Sequence, residues 1–348
     1  MAQAVTTEPT LLATETIVTE VLATIDRERE REIIARRFGL YDRKETLEQI
    51  GEMLGITRER VRQLEKSVIT RLKAAAEQGS VPHIAAFESR LLSLLESNGN
   101  VARVSSLSDE LTTKPSREEQ ARVAFLAQLC PQLVVVAEDD NFFNAVGVKN
   151  VRDEKSLKTA VASLVATVKQ LAEPKSIEDI TAATDLDSSI EAAALASTSK
   201  LLATLNGRWG LIKWPMVNPK NIRDKIYVIL KENGKHMHFN EIADAIKDSD
   251  FKRKDVTTQA IHNELIKDKR FVLIGRGIYA LKEWGYEKGT VSDIITEVLK
   301  EAGEPLHRDE IVKRVLASRF VKETTILLNL QGKPQFKRVA KATYELAE

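Results

Sequence analysis

Arg58, Glu59, Arg62 and Gln63 stand at i, i+1, i+4 and i+5 in the stretch TRERVRQLEKSVITRLK, residues 57–73. On a helix that spacing gathers the four side chains on one face within the first two turns. Each type can address a base edge in a major groove: arginine donates a bidentate pair to guanine, glutamine pairs with adenine, and glutamate accepts from the cytosine amino group. The same stretch carries six basic and two acidic side chains, a local excess suited to a polyanion. A merely solvated charged helix would show the same excess, so charge alone does not separate the two readings.

The elements that must position this face are also written in the sequence. Val61, Leu64 and Val68 line the opposite, apolar side of the same helix. Upstream, Thr46-Leu47-Glu48-Gln49 has the form of a capping box, with Thr46 as N-cap and Gln49 at N3, and predicts a helix over 47–54. Gly55 permits a tight turn, Thr57 can cap the next helix, and Glu59 in its first turn suits the helix dipole. Helix, turn and helix at this spacing is a helix-turn-helix, in which the second helix enters the major groove N-terminus first. Before it, Ile17, Val21, Ile25, Ile33 and Ile34 fall at helical spacing between mixed charges and predict an amphipathic helix or helix pair over 17–37.

RRFGL followed by TLEQIGEMLGITRERVRQLEKSVITRL closely resembles region 4 of the sigma-70 family of bacterial sigma factors, over roughly residues 26–77. In that family the helix-turn-helix reads the promoter −35 element, and another face grips the flap of the RNA polymerase β subunit. The resemblance implies Arg58, Glu59, Arg62 and Gln63 as base contacts. It implies Arg36, Thr46, Arg60 and Lys66 as phosphate contacts, with Ser67 standing where the family usually has a basic residue. Double-stranded DNA and the RNA polymerase core become the expected partners, the second through the apolar face of residues 17–40. Region 4 normally closes a sigma factor, whereas here it opens the chain. No Phe, Trp or Tyr precedes Phe38, so autonomous promoter opening, which uses aromatic side chains, is not expected.

After Gly79 the chain repeats. Four repeats start near His83, Glu154, Asn221 and Gly289, spaced 71, 67 and 68 residues apart, the signature of an array. VILKENGKHMHFNEI (228–242) lies over EVLKEAGEPLHRDEI (297–311), and FVLIGRGIYAL (271–281) over FKRVAKATYEL (336–346). Each repeat reads as helix, break, second helix, third helix and two short β-rich runs, which is the order of a winged helix. In the third the expected elements are helices 222–233, 239–247 and 256–268 and a hairpin of 271–274 with 277–281. Gly275-Arg276-Gly277 at its tip suggests a type I′ or II′ turn. Trp209, Trp214 and Trp284 recur at the hairpins and are expected to pack there.

The third repeat resembles the HARE-type helix-turn-helix and the folded N-terminal domain of the RNA polymerase delta subunit, over 220–286 and more weakly over 289–347. Secondary nucleic-acid contacts would come from Lys252, Arg253, Lys254, Arg276, Lys337 and Arg338, although ordinary solubilising charge accounts for them equally well. The expected fold is mainly α with small β-hairpin wings, an N-terminal helix-turn-helix module followed by a tandem array of winged-helix units. Its segments are 1–25, 26–79, 80–150, 151–216, 217–286 and 287–348.

Composition bounds the rest. The net charge is +1 with 43% hydrophobic residues, enough to bury cores in a chain of 348 residues. Neutrality conceals an asymmetry: residues 217–348 are net +5 and residues 78–216 net −3. The first two repeats are therefore expected to contact protein or act as spacers. A single cysteine, Cys130, fits a reducing cytoplasm, and no apolar run approaches the roughly 18 residues that span a bilayer. There is no phosphate-binding loop, no HExxH and no paired-cysteine site, and His236-x-His238 lacks further ligands. Neither enzyme activity, a metal, a cofactor nor a small-molecule substrate is expected. The alternative to a DNA-reading protein is a scaffold that docks on RNA polymerase or a sigma factor without reading DNA.

Overall fold

Thr14–Ala23 and Glu28–Phe38 form two helices, α1 and α2, in the computed structural model, which describes residues 13–112, 115–253, 255–286 and 289–347. The pair replaces the single long helix that the periodicity also allowed. Gly39 ends α2 in the left-handed conformation (φ +69°), as glycine does without a steric cost. Next come α3 (Leu47–Leu54) and α4 (Arg58–Glu77), with Gly55 left-handed between them (φ +64°).

Two cores share these helices. Ile33, Ile50 and Val61 are fully buried together, ringed by Leu47, Leu54, Ile56 and Leu64, and hold the helix-turn-helix. The neighbouring Ile34 points the other way, into a larger core with Ile17, Val18, Val21, Val68 and Leu72. That core continues into the first repeat through Phe87, Leu91, Phe125, Leu126 and Val146. The apolar face of residues 17–40, expected to dock on a polymerase, is thus covered by the chain's own first repeat. Val18, Val21, Ile34 and Leu40 are all fully buried. The sequence shows that a face is apolar, not what covers it.

The first repeat comprises α5 (Ile84–Ser97), β1 (Val101–Arg103), α6 (Val104–Leu111), α7 (Arg117–Leu129), β2 (Leu133–Val136) and β3 (Ala145–Val148). The second has α8 (Glu154–Leu171), β4 (Lys175–Ser176), α9 (Ile177–Ala182), α10 (Ser189–Thr198), β5 (Leu202–Leu205) and β6 (Arg208–Leu211). The third has α11 (Ile222–Asn233), β7 (Met237–His238), α12 (Phe239–Asp248), α13 (Thr258–Lys267), β8 (Phe271–Gly275) and β9 (Ile278–Leu281). The fourth has α14 (Val291–Ala302), β10 (Leu306–His307), α15 (Arg308–Ser318), α16 (Glu323–Gly332), β11 (Phe336–Ala340) and β12 (Thr343–Leu346). All four sheets are antiparallel and share one topology, with the last strand of the repeat at the centre: β1-β3-β2, β4-β6-β5, β7-β9-β8 and β10-β12-β11. The fold is mainly α with small wings.

The first strand of each sheet, two or three residues long, is absent from the sequence reading. It runs directly into the second helix, whose N-cap then sits at the strand end. Ser176, His238 and His307 each accept a hydrogen bond from a backbone N–H of the helix that follows. At the third wing the expected primed turn does not form. Gly277 alone of the tip residues has positive φ (+72°), and the pairing jumps from Leu273↔Tyr279 to Gly275↔Ile278, a bulge at Ile274. The second wing does turn on two positive-φ residues, Asn206 (+49°) and Gly207 (+74°), between Leu205 and Arg208. Trp284 packs against Val272, Ile274 and Ala280 of the third wing, while Trp209 and Trp214 are half-buried.

The chain divides into two compact bodies after Ile212. Within the first, Phe143 N donates to Thr198 O and Lys200 N to Asn141 O, both at 2.8 Å, joining the first two repeats. Within the second, Phe320 N donates to Ile274 O at 3.2 Å, and the Phe320 ring lies 4.4 Å from that of His236. No helix among the described residues is long and apolar enough to cross a membrane.

Candidate nucleic-acid interface

The capping box that opens α3 is complete. Gln49 N donates to Thr46 Oγ1 at 3.2 Å, and Thr46 N donates to Gln49 Oε1 at 2.9 Å. A hydroxyl that accepts there keeps its own proton, so exposed Thr46 can still donate to a phosphate oxygen. Thr57 caps α4 in the same way, its Oγ1 accepting from Arg60 N at 3.2 Å. Between the two caps Gly51 lets the helices approach: a Cβ there would lie 2.7 Å from the Ile56 carbonyl oxygen. Arg29 closes the other end of α3 by donating to Leu54 O. The turn is therefore fixed by backbone packing and caps, and with it the direction of α4.

Arg58, Glu59, Arg62 and Gln63 lie exposed on one face of the first two turns of α4. They are tied to one another. Arg62 forms a two-point contact with Glu59 at 2.8 and 2.6 Å, and Gln63 Nε2 donates to the same carboxylate at 3.3 Å. The Arg62 hydrogen bonds hold the Glu59 carboxyl down at about 2, so it is charged at any physiological pH. Arg58 reaches across the turn to Glu48 at 3.0 Å, and Arg60 donates to Gln63 at 3.4 Å. Such exposed pairs are weak and exchange readily with water or a ligand. The face is preorganised and can still re-pair with bases.

The phosphate candidates differ among themselves. Thr46, Arg60 and Lys66 are exposed. Arg36 is half-buried between Glu45 at 2.9 Å and Glu32 at 3.0 Å, which raise its pKa further, Glu45 contributing most. Two other arginines of this region also serve the scaffold. Arg37 ties α2 to Glu65 of α4 at 3.3 Å, and Arg71 of α4 pairs with the buried Glu30 of α2.

Farther along, Lys252 and Arg253 close the turn after α12, where their carbonyls accept from the buried Lys225 ammonium at 2.9 and 2.6 Å. Their own side chains are exposed. Lys254 lies outside the described residues. Arg276 projects from the tip of the third wing, and Lys337 and Arg338 from β11 of the fourth. These cations are distributed over several elements of the second half of the chain. The His236-x-His238 pair is employed otherwise, His236 against Phe320 and His238 as the cap of α12.

Sequence reading passed over Arg43 and Lys44, which stand exposed just before the Thr46 cap. The run Asp42-Arg43-Lys44 was the available signal. Both line a groove of about 810 Å³ that Arg103 and Arg117 of the first repeat also line. A shallower depression of about 310 Å³ lies beside α4, lined by Arg62, Lys66, Lys73 and, from α7, Gln128.

Comparison with known proteins agrees with this geometry over a limited span. Residues 27–74 match the family described as Sigma-70, region 4. The RNA polymerase sigma factor sigB of Arabidopsis thaliana is 54% identical over 46 residues, 13% of this chain and 8% of that protein. RpoD of Helicobacter pylori is 53% identical over 49 residues, 14% of this chain and 7% of its own, and RpoS of Coxiella burnetii 44% over 61 residues, 17% of each. The chain thus spans less than a fifth of the length of these relatives. The family likeness to region 4 of sigma-70 factors is confined to residues 27–74 of this chain.

Proposed function

We propose that this protein is a transcription-associated DNA-binding protein whose α4 reads a short duplex element of the −35 type. Arg58, Glu59, Arg62 and Gln63 make the base contacts; Thr46, Arg60 and Lys66 contact phosphates, and Arg36 does so once released from Glu45. The observation that carries the reading is the exposed, internally paired face at the start of α4, capped by Thr57, within the span that matches region 4. RNA polymerase is the proposed protein partner. Promoter melting is not part of the proposal, and the protein does not act as a complete sigma factor. We further propose that the segments 26–79, 80–150, 151–216, 217–286 and 287–348 are successive modules, with Lys252, Arg253, Lys254, Arg276, Lys337 and Arg338 adding secondary backbone contacts. Tandem modules raise effective concentration and supply affinity that one helix-turn-helix lacks.

The test is fluorescence anisotropy with the full chain, on duplexes carrying a −35-like hexamer and on scrambled duplexes, across a salt series. Preference for the hexamer that disappears in Arg58→Ala/Arg62→Ala supports the reading; equal binding to both duplexes by the parent chain refutes sequence reading. A second reading, a scaffold on polymerase or a sigma factor, draws support from α10 and α16. Neither of these third helices contains a lysine or arginine, so neither is suited to a phosphate backbone. A polymerase pull-down that survives Arg58→Ala/Arg62→Ala, together with an absence of salt-dependent DNA binding, favours the scaffold.

A further inference from the structure

We propose that the duplex read by α4 continues onto the first repeat, along the groove beside the α2–α3 loop, where Arg43, Lys44 and Arg117 take its phosphates. The inference rests on the DNA-binding reading above and enlarges its footprint. The groove and the reading helix share a wall. Gln128 of α7 lines the depression that holds Arg62, Lys66 and Lys73, and it also lines the larger groove of about 810 Å³.

The cations of that groove have their donors to spare. Arg43, Lys44 and Arg117 are exposed, and none makes an ion pair or side-chain hydrogen bond among the described residues. Arg36, Arg37, Arg58, Arg62 and Arg71 in the adjoining module all do. Two of the carboxylates facing the groove are already engaged, Glu138 with the Lys200 ammonium at 2.7 Å and Glu118 with the Ser116 hydroxyl at 2.6 Å. Asp42 faces it as well. Arg103 forms part of the wall and is spent there, its guanidinium 3.9 Å above the Phe143 ring. The net acidity of residues 78–216 therefore does not describe this face.

Dimensions favour the same occupant. The 20 residues of α4 run about 30 Å, whereas a major groove is only about 12 Å wide. Its N-terminal turns alone can enter. The flanking sugar-phosphate strand, carrying a charge about every 3.4 Å, must then pass over whatever adjoins the helix. Here that is the α7 wall, and beyond it three unpaired cations.

The experiment uses the full chain and a duplex of about 30 base pairs centred on the hexamer, long enough to cross the groove at about 3.4 Å per pair. Arg43→Ala/Lys44→Ala/Arg117→Ala is compared with a charge-matched control, Lys149→Ala/Lys155→Ala/Lys169→Ala, whose lysines are exposed on other elements. The expected result is a fall of about 2.7 in the slope of log K against log[salt] for the groove variant, at about 0.9 per lost phosphate contact. Its hexamer-to-scrambled ratio is retained, and the control keeps the parent slope. A groove variant with the parent slope overturns the inference and leaves the sequence-reading proposal standing. A control that loses as much slope overturns it too, because the effect is then one of net charge. If the parent chain shows no salt-dependent duplex binding, the wider reading falls and this inference with it.

Discussion

Gly51→Ala tests whether the close approach of α3 to the turn sets the aim of α4. The new Cβ meets the Ile56 carbonyl oxygen at 2.7 Å, the Arg58 nitrogen at 3.4 Å and the Thr57 carbonyl carbon at 3.6 Å. All three are backbone atoms, so no side chain can swing aside. The turn must open by roughly 0.3–0.7 Å to restore ordinary van der Waals spacing. Alanine gains about 1 kcal/mol over glycine in helix propensity, and overpacking costs about 1–3 kcal/mol. The balance is a loss of about 0–2 kcal/mol, read by urea denaturation. Gly55→Ala is the control: its left-handed φ of +64° costs alanine about 1–2 kcal/mol, but nothing lies within 4 Å of the new Cβ. The two variants should therefore lose similar stability, while only Gly51→Ala tilts α4. In the anisotropy assay Gly51→Ala loses most of its hexamer preference and Gly55→Ala keeps it. A Gly51→Ala protein with parental stability and full preference would refute the reasoning, since the turn would then yield without moving the helix.

Glu59 gives a prediction with a definite sign. Arg62 depresses its folded-state carboxyl from 4.5 to about 2, so the stabilising pair is fully present above the ordinary carboxylate range and is lost as pH falls from about 4.5 toward 2. An NMR titration of the Glu59 side chain should show a midpoint near 2, moving up toward the usual range in Arg62→Ala; an unmoved midpoint excludes the pair in solution. In the second body, Gly277→Ala combines a φ of +72° with a Cβ 2.4 Å from His238 Nε2, the ring that caps α12. Strain of about 1–2 kcal/mol adds to a lost cap of about 1 kcal/mol. Faster amide exchange at Asn240 and a lower melting temperature are expected, and unchanged exchange at Asn240 contradicts the capping role.

What was legible in the sequence was local chemistry with a fixed offset. Thr46 and Gln49 three residues apart specify their own hydrogen bonds, and the expected helix 222–233 is the helix observed, bounded by Asn221 as N-cap and left-handed Gly234. Two-residue strands such as β4, β7 and β10 have no period to detect, so the three-stranded sheets were read as hairpins. The caps His238 and His307 escaped because histidine is an uncommon cap, and the Asn206-Gly207 turn was visible but unused. The roles of individual arginines were beyond sequence reading. Nothing in residue type separates Arg71, committed to Glu30 forty-one positions away, from Arg117, which faces solvent. Partner identity is a property of the fold.

The core that joins α1 to α7 also sets an order of events during synthesis. Thr14 donates to Glu119, Glu15 pairs with Arg122 at 3.2 Å, and Arg122 Nε donates to Leu40 O at 2.8 Å. At about 5–20 residues per second, the apolar face of α1 leaves the ribosome several seconds before α7 exists to cover it. Until then the nascent helix-turn-helix can close its small Ile33-Ile50-Val61 core but not its large one. That interval exposes Ile17, Val18 and Val21 to chaperones, and the first repeat completes its upstream neighbour only after emerging from the exit tunnel.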